Sequence, residues 1–107
     1  MTINSLQMKL KNHAEQYKAI ALSTGHLTEE DVMTLTNMVH RTNMVTMRDT
    51  GWFVKLYEIE NKDASDIEAW REYYPFVSDS LMTILQCVYL SGFRMIEFDS
   101  DAEEIEA

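Results

Sequence analysis

Two segments of this chain have the residue spacing of amphipathic helices, and each begins with a clear start signal. The first follows Thr28-Glu29-Glu30-Asp31, where the threonine can cap the helix, the acids fill its first turn, and the aspartate stands at the reciprocal position of a capping box. The second starts at Ser78 or Asp79, runs through Leu90 and is followed by Gly92 as a stop signal. Both helices must bury an apolar stripe, so the fold needs a layer that covers the two of them.

Strand-type residues separate these helices. The runs 43–48 and 52–57 are rich in β-branched, aromatic and methionine side chains, and they flank Asp49-Thr50-Gly51. A short connection that contains glycine predicts a hairpin between two such runs. Two more strands are predicted at 18–23 and 93–98.

Two further helices are predicted outside this core. The segment 3–17 has Leu6, Leu10, Ala14 and Tyr17 at helical spacing. A short helix over 66–73 is indicated by a capping-box pattern at its start and is limited by a following proline.

The predicted order is α-β-α-β-β-(α)-α-β within a single domain, 1–107. Its β-α-β-β-α-β core predicts an α+β fold of the ferredoxin-like type, with an antiparallel sheet, helices on one face and an additional N-terminal helix. A mostly helical fold is the alternative, if 3–23 forms one long helix and the short strands are loops. Exposed edges of such a sheet often pair, which favours a homodimer.

Charge is distributed unevenly along the chain. Residues 1–57 carry five acids and six bases, whereas residues 58–107 carry thirteen acids and three bases. The bases are scattered, so we expect no direct binding of nucleic acid. A partner with a basic surface fits better, above all one that normally holds nucleic acid, because carboxylates would then stand where phosphates stand, as in a DNA mimic.

We interpret the acidic segment, 58–72, and the tail, 99–107, as the candidate partner-binding surface, and we expect the tail to be mobile. Aromatic residues within the segment are either interface anchors or the apolar side of a small helix on the core. The alternative explanation of all these acidic residues is that they only keep the protein in solution. The candidate residues are Glu58, Glu60, Asp63, Asp66, Glu68, Trp70, Glu72, Tyr73, Tyr74, Asp99 and Asp101.

No motif with metal-ligand spacing, no phosphate-binding loop and no nucleophile elbow occurs in the sequence, so we expect no metal, no cofactor and no catalytic residues. His26 lies between a predicted strand and a helix start, where its ring either serves a functional site or hydrogen-bonds to the loop and orders it. Cys87 is the single cysteine, and its apolar surroundings in the sequence favour a small core residue.

Three short pieces of the chain stand out, Ser23-Thr24-Gly25-His26-Leu27-Thr28, Gly51-Trp52-Phe53 and Ile96-Glu97-Phe98-Asp99-Ser100-Asp101. They resemble a family of small proteins of unknown function that prophages and other bacterial mobile elements carry, often beside toxin–antitoxin genes. That family combines an S-T-x-H-[I/L]-T turn, a G-W-[F/L] strand and a final L-x-L-D-x-D-G strand. This chain departs from it where Ile96 and Phe98 replace leucine and Ala102 replaces glycine. The resemblance covers 18–101 and implies a small accessory protein of a phage or mobile element.

Composition and resemblance together favour a non-enzymatic inhibitor or modulator of a host protein, of the anti-CRISPR or anti-restriction type, which binds through its acidic surface. No signal peptide or membrane segment is evident, so we expect a protein of the bacterial cytoplasm without a membrane partner. Two alternatives stay open: an antitoxin-like regulatory partner that uses an apolar, methionine-rich face, and a small enzyme or ligand-binding domain around His26.

Overall fold

The computed structural model describes residues 2–56 and 67–105 and contains both helices and strands, as an α+β fold requires. The α+β class predicted from the sequence is therefore confirmed. In chain order the elements are α1 (Ile3–Lys11), β1 (Lys18–Ser23), a short 3-10 helix (Thr24–His26), α2 (Glu29–Met38), β2 (Val45–Arg48), β3 (Gly51–Lys55), α3 (Ile67–Tyr73), α4 (Asp79–Leu90) and β4 (Phe93–Asp99).

The four strands form one mixed sheet in the order β1-β4-β3-β2. β1 pairs with β4 in parallel, whereas β3 pairs with β4 and β2 with β3 in an antiparallel manner. The prediction of an antiparallel, ferredoxin-like sheet is thus wrong about β1, which forms an edge while β4 lies inside the sheet. A physical reason is composition: β4 has large side chains on both faces, whereas β1 offers only the small residues Ala19, Ala21 and Ser23 to one of its faces.

The predicted hairpin is confirmed as β2 and β3, joined by Asp49 and Thr50. Gly51 begins β3 and pairs with Arg48 on one side and Asp99 on the other. A Cβ atom at this position would overlap the backbone carbonyl oxygen of Phe98. The glycine in the hairpin is therefore required by the close approach of β4.

The helix start signals act as predicted, but α1 is shorter than the predicted segment 3–17. Thr28 caps α2, Ser78 caps α4, and α2 ends at Met38. α1 ends at Lys11, so 3–23 is not one long helix, and none of the residues of α1 is buried. The side-chain amide of Gln16 donates hydrogen bonds to carbonyl groups of Leu10 and Lys11, which satisfies the last turn and ends the helix there.

One face of the sheet carries the hydrophobic core. Side chains from β1, β4, β3 and β2 that share this face pack with α2, α3 and α4 in a single cluster, so these helices lie on one face as predicted. As far as the described residues show, the opposite face is open, and on it Arg48 forms an ion pair with Glu97 and lies 5.1 Å from the centroid of the Phe53 ring. The largest side chains of the core are Trp70, Tyr74, Phe98, Leu35, Leu81, Met82, Leu85, Ile96 and Val54.

Candidate functional site

Three pieces of the sequence, 23–28, 51–53 and 96–101, meet at one end of the sheet. β1 and β4 are parallel, so both end there, and Ser23 pairs with Asp99 in the sheet register. Asp99 also pairs with Gly51 at the start of β3, and the amide of Ser100 donates a 2.8 Å hydrogen bond to the carbonyl group of Thr50. The fold thereby joins segments that are far apart in the sequence, and we call this region the acidic end.

The C-terminal segment follows this end of the sheet up to Ile105. Asp99 organises the turn, because its carboxylate accepts a 2.9 Å hydrogen bond from the amide of Asp101. The amide of Ile105 then donates a 3.0 Å hydrogen bond to Nε2 of His26. A Cβ atom on Gly25 would overlap the carboxylate of Glu104, so this acid lies directly over the 3-10 helix. The mobility expected of the whole tail stays a prediction.

Acidic side chains surround this end. α2 and α4 also begin there, because α2 directly follows the 3-10 helix and a buried carboxylate joins the two helix starts. The nearby bases of the described chain, Arg48 and Arg71, form ion pairs with Glu97 and Asp79. The acids of the acidic end are Glu29, Glu30, Asp49, Asp79, Asp99, Asp101, Glu103 and Glu104.

Basic side chains collect at the opposite end of the sheet. Lys18 begins β1, Lys55 ends β3 and Arg94 follows the first residue of β4, and these three line one shallow concavity. The parallel register of β1 and β4 is what places their starts together. Among the described residues, acids at one end of the sheet and bases at the other therefore separate charge along the strand direction.

The buried carboxylate that joins the two helix starts belongs to Asp31, which is fully inaccessible to solvent. It accepts hydrogen bonds from the hydroxyl group of Thr28 at 3.0 Å, from the amide of Ser78 at 3.1 Å and from the hydroxyl group of Ser78 at 2.7 Å. These donors compensate its desolvation. The capping-box pattern predicted the contact with Thr28, but no local signal pointed to Ser78.

His26 is half-buried, and its Nε2 atom is occupied by the amide of Ile105. The ring thus contacts the C-terminal segment and not its own loop, which differs from the predicted loop contact, and a functional role of the ring stays a prediction. The hydroxyl group of Ser23, three residues before His26, accepts a 3.0 Å hydrogen bond from the amide of Gly25. In residues 2–56 and 67–105, no group of three or more His, Cys, Asp or Glu side chains could hold a metal ion.

The predicted partner-binding residues are divided by the structure. Glu58, Glu60, Asp63 and Asp66 lie outside the described residues. Glu68 and Glu72 are exposed on α3, and Tyr73 is 37% exposed. Asp101 is exposed and Asp99 is half-buried, and both belong to the acidic end.

Trp70 and Tyr74 are core residues and not surface anchors. They are 0% and 1% exposed, and their rings stack with centroids 5.8 Å apart. Trp70 also meets the ring of Tyr89 edge-on at 5.2 Å, and the hydroxyl group of Tyr74 donates a 2.6 Å hydrogen bond to the carbonyl group of Lys55. The apolar side of the small helix faces the core, which was the alternative interpretation of these aromatics.

Cys87 corrects another expectation, because it is exposed. The buried stripe of α4 passes through Leu85 and Val88, and Cys87 lies about 200° around the helix from Leu85. Its side chain lines a groove of about 390 Å³ between β1 and α4, together with Ile20, Leu22 and Ile105. Because the sequence of α4 is apolar on most sides, its composition did not indicate that Cys87 lies on an exposed side of the helix.

The fold and its charged ends define a small α+β domain with a mixed sheet and an acidic end. Residues 19–107 match the family described as "Family of unknown function (DUF5983) C-terminal domain", and the chain belongs to this family. The match begins within β1, so α1 precedes it. No curated protein and no solved structure gave a significant match. None of the helices described is long and apolar enough to cross a membrane.

Proposed function

We propose that this protein is a non-enzymatic accessory protein of a phage or mobile element. It binds a host protein through the acidic end and inhibits or modulates it, in the manner of an anti-CRISPR or anti-restriction protein. The observation that carries the proposal is the convergence of Asp49, Asp99 and the C-terminal acids at one end of the sheet. The target offers a basic surface that normally holds nucleic acid.

The acids of this end are suited to specific docking because several of them are held by the fold. Asp99 lies in the sheet register and fixes the turn after β4, and the segment beyond it is tied to the hairpin and to His26. A held array of carboxylates can match the spacing of basic groups, whereas a free acidic tail only steers the encounter. Such binding gains mainly in association rate and selectivity, and it weakens with salt.

The acidic segment extends this surface in our proposal. Glu68 and Glu72 are exposed on α3, and Tyr73 next to them is partly exposed. An aromatic side chain rimmed by acids is a typical interface anchor. Glu58, Glu60, Asp63 and Asp66 belong to the same proposed surface and precede α3 in the sequence.

A pull-down from bacterial lysate at low and high salt tests the proposal. The first variant combines Asp101→Asn, Glu103→Gln and Glu104→Gln, and the second reverses the charges of Glu58, Glu60, Asp63 and Asp66. The control combines Asn4→Lys, Gln7→Lys and Glu15→Gln, which changes the net charge by the same amount as the first variant, at exposed positions on and after α1.

We expect the wild-type protein and the control to capture the same target at low salt and to lose it at high salt. The first variant should bind about tenfold more weakly. Binding that resists salt and survives both acidic variants would overturn the proposal and would favour the apolar, methionine-rich face of an antitoxin-like partner. Equal loss with the first variant and with the control would overturn the proposal as well, because it would show that net charge and not the acidic end determines binding.

A further inference from the structure

Within residues 2–56 and 67–105, the edge strand β1, six residues long, has a strand partner on one side only. Among the described strands, β4 is its only partner, and the other edge of the sheet is β2. β2 is four residues long and ends in Arg48, whereas β1 carries a charge only at Lys18. Short length and charge are the usual protection of sheet edges, so β1 is the less protected edge.

We propose that a second copy of this chain pairs with β1 in an antiparallel manner and forms a two-fold symmetric dimer with a continuous sheet. Opposite residues of an antiparallel pair share a face, and both cores must lie on the same side of the sheet. The register centred on Ala21 meets this condition. It places Ile20 opposite Leu22 of the second copy and Ala19 opposite Ser23, so small residues meet on the open face.

Charge complementarity favours a second copy of this chain as the partner of β1. The basic end begins β1 with Lys18, and the acidic end follows it, with Glu104 over Gly25. Antiparallel pairing sets Lys18 of each copy beside the acidic end of the other, so two attractive contacts form at once. A register centred on Ile20 would instead place Lys18 opposite Leu22, where it meets an apolar side chain on the core side.

The groove between β1 and α4 supplies apolar contact beside the new strand pair. Ile20 and Leu22 line it from the strand, Ile84 and Cys87 line it from the helix, and Ile105 borders it. Ile105 is 61% exposed, as is expected of an apolar side chain at an interface that one copy leaves open. Pairing along β1 brings the grooves of both copies to the dimer axis and covers them together.

The position of Ala21 on the two-fold axis gives a sharp test of this dimer. Ala21 is exposed on the open face, so Ala21→Lys and Ala21→Glu leave the core intact. Each variant places two like charges opposite each other, and we expect its dimer dissociation constant to rise about tenfold or more. An equimolar mixture of the two variants should recover the dimer. Thr46→Lys, at an exposed position of β2, is the matched control.

Sedimentation equilibrium over a range of concentrations measures the association. Cross-linking of Cys87 by a bismaleimide gives a second readout, because the only cysteine borders the groove. Dimers of the wild type and of Thr46→Lys, monomers of the single Ala21 variants and dimers of their mixture would support the proposal. A monomeric wild type, dimers of the Ala21 variants alone, or loss of association only in Thr46→Lys would overturn it. These outcomes are independent of whether the acidic end binds a host protein.

Discussion

The carboxylate of Asp31 joins the start of α2 to the start of α4 through Ser78. Its Oδ1 atom accepts a hydrogen bond from the amide of Ser78 at 3.1 Å, and its Oδ2 atom accepts one from the hydroxyl group at 2.7 Å. Ser78 in turn caps α4, since its hydroxyl oxygen accepts a 3.1 Å hydrogen bond from the amide of Leu81. One buried side chain thus connects the two longest helices at the acidic end, where each helix carries a partial positive charge.

Replacement of Asp31 by alanine should lower the free energy of unfolding by about 2–4 kcal/mol. The change leaves the amide of Ser78 and two hydroxyl groups without their acceptor. Urea denaturation measures the effect. Glu30→Gln, at the exposed neighbouring position, should change stability by less than about 0.5 kcal/mol. Equal losses in the two variants would contradict a special role of the buried carboxylate.

Gly51→Ala should be strongly destabilising, by about 3 kcal/mol or more, because the added methyl group meets backbone and not a flexible side chain. Gly92→Ala is the comparison, since Gly92 has a positive φ of 95° but no atom within 4 Å of the added Cβ. There we expect only the cost of the backbone conformation, about 1–3 kcal/mol. Thermal unfolding measures the loss of stability in both variants. A smaller loss for Gly51→Ala than for Gly92→Ala would refute the close contact between Gly51 and β4.

His26→Ala should release the C-terminal segment without unfolding the sheet. The amide of Ile105 loses its acceptor, so its hydrogen exchange should accelerate, whereas exchange of amides in β4 stays slow. NMR-detected exchange gives both rates in one experiment. His40→Ala, an exposed histidine after α2, serves as the control. Unchanged protection of Ile105 in the His26 variant would show that the ring does not hold the segment.

Tyr74→Phe should destabilise the fold by about 1 kcal/mol, because it removes the hydrogen bond to the carbonyl group of Lys55 and keeps the ring in the core. Tyr17→Phe, at a residue that is 58% exposed, should leave the free energy of unfolding almost unchanged. Urea denaturation measures both variants. Target capture by the folded Tyr74 variant should equal that of the wild type. Loss of target capture without loss of stability would contradict the core role of Tyr74 and would indicate that it contacts the target.

Local signals predicted much of the secondary structure. Thr28 and Ser78 cap their helices, Gly92 follows α4, and the hairpin turns at Asp49 and Thr50. Each of these features depends on groups within a few residues of one another, so the sequence contains the whole interaction. The end of α1 was missed because it depends on Gln16, which reaches back to carbonyl groups of the last turn.

The sites were less predictable than the elements. Trp70 and Cys87 show the difficulty: the aromatic residue in an acidic segment is buried, and the cysteine in an apolar segment is exposed. Composition averages over all sides of a helix, whereas burial depends on which side faces the sheet. For the same reason the groove between β1 and α4 had no sequence signal.

The sequence by itself determined the α+β class, the helix caps, the hairpin and the excess of acid after residue 57. Only the tertiary structure decided that β1 lies at an edge beside a parallel β4, that Asp31 reaches Ser78, and that acids and bases separate to opposite ends of the sheet. These are contacts between residues far apart in the chain. They follow from the order in which strands pair to bury the most apolar surface, and no local pattern encodes that order.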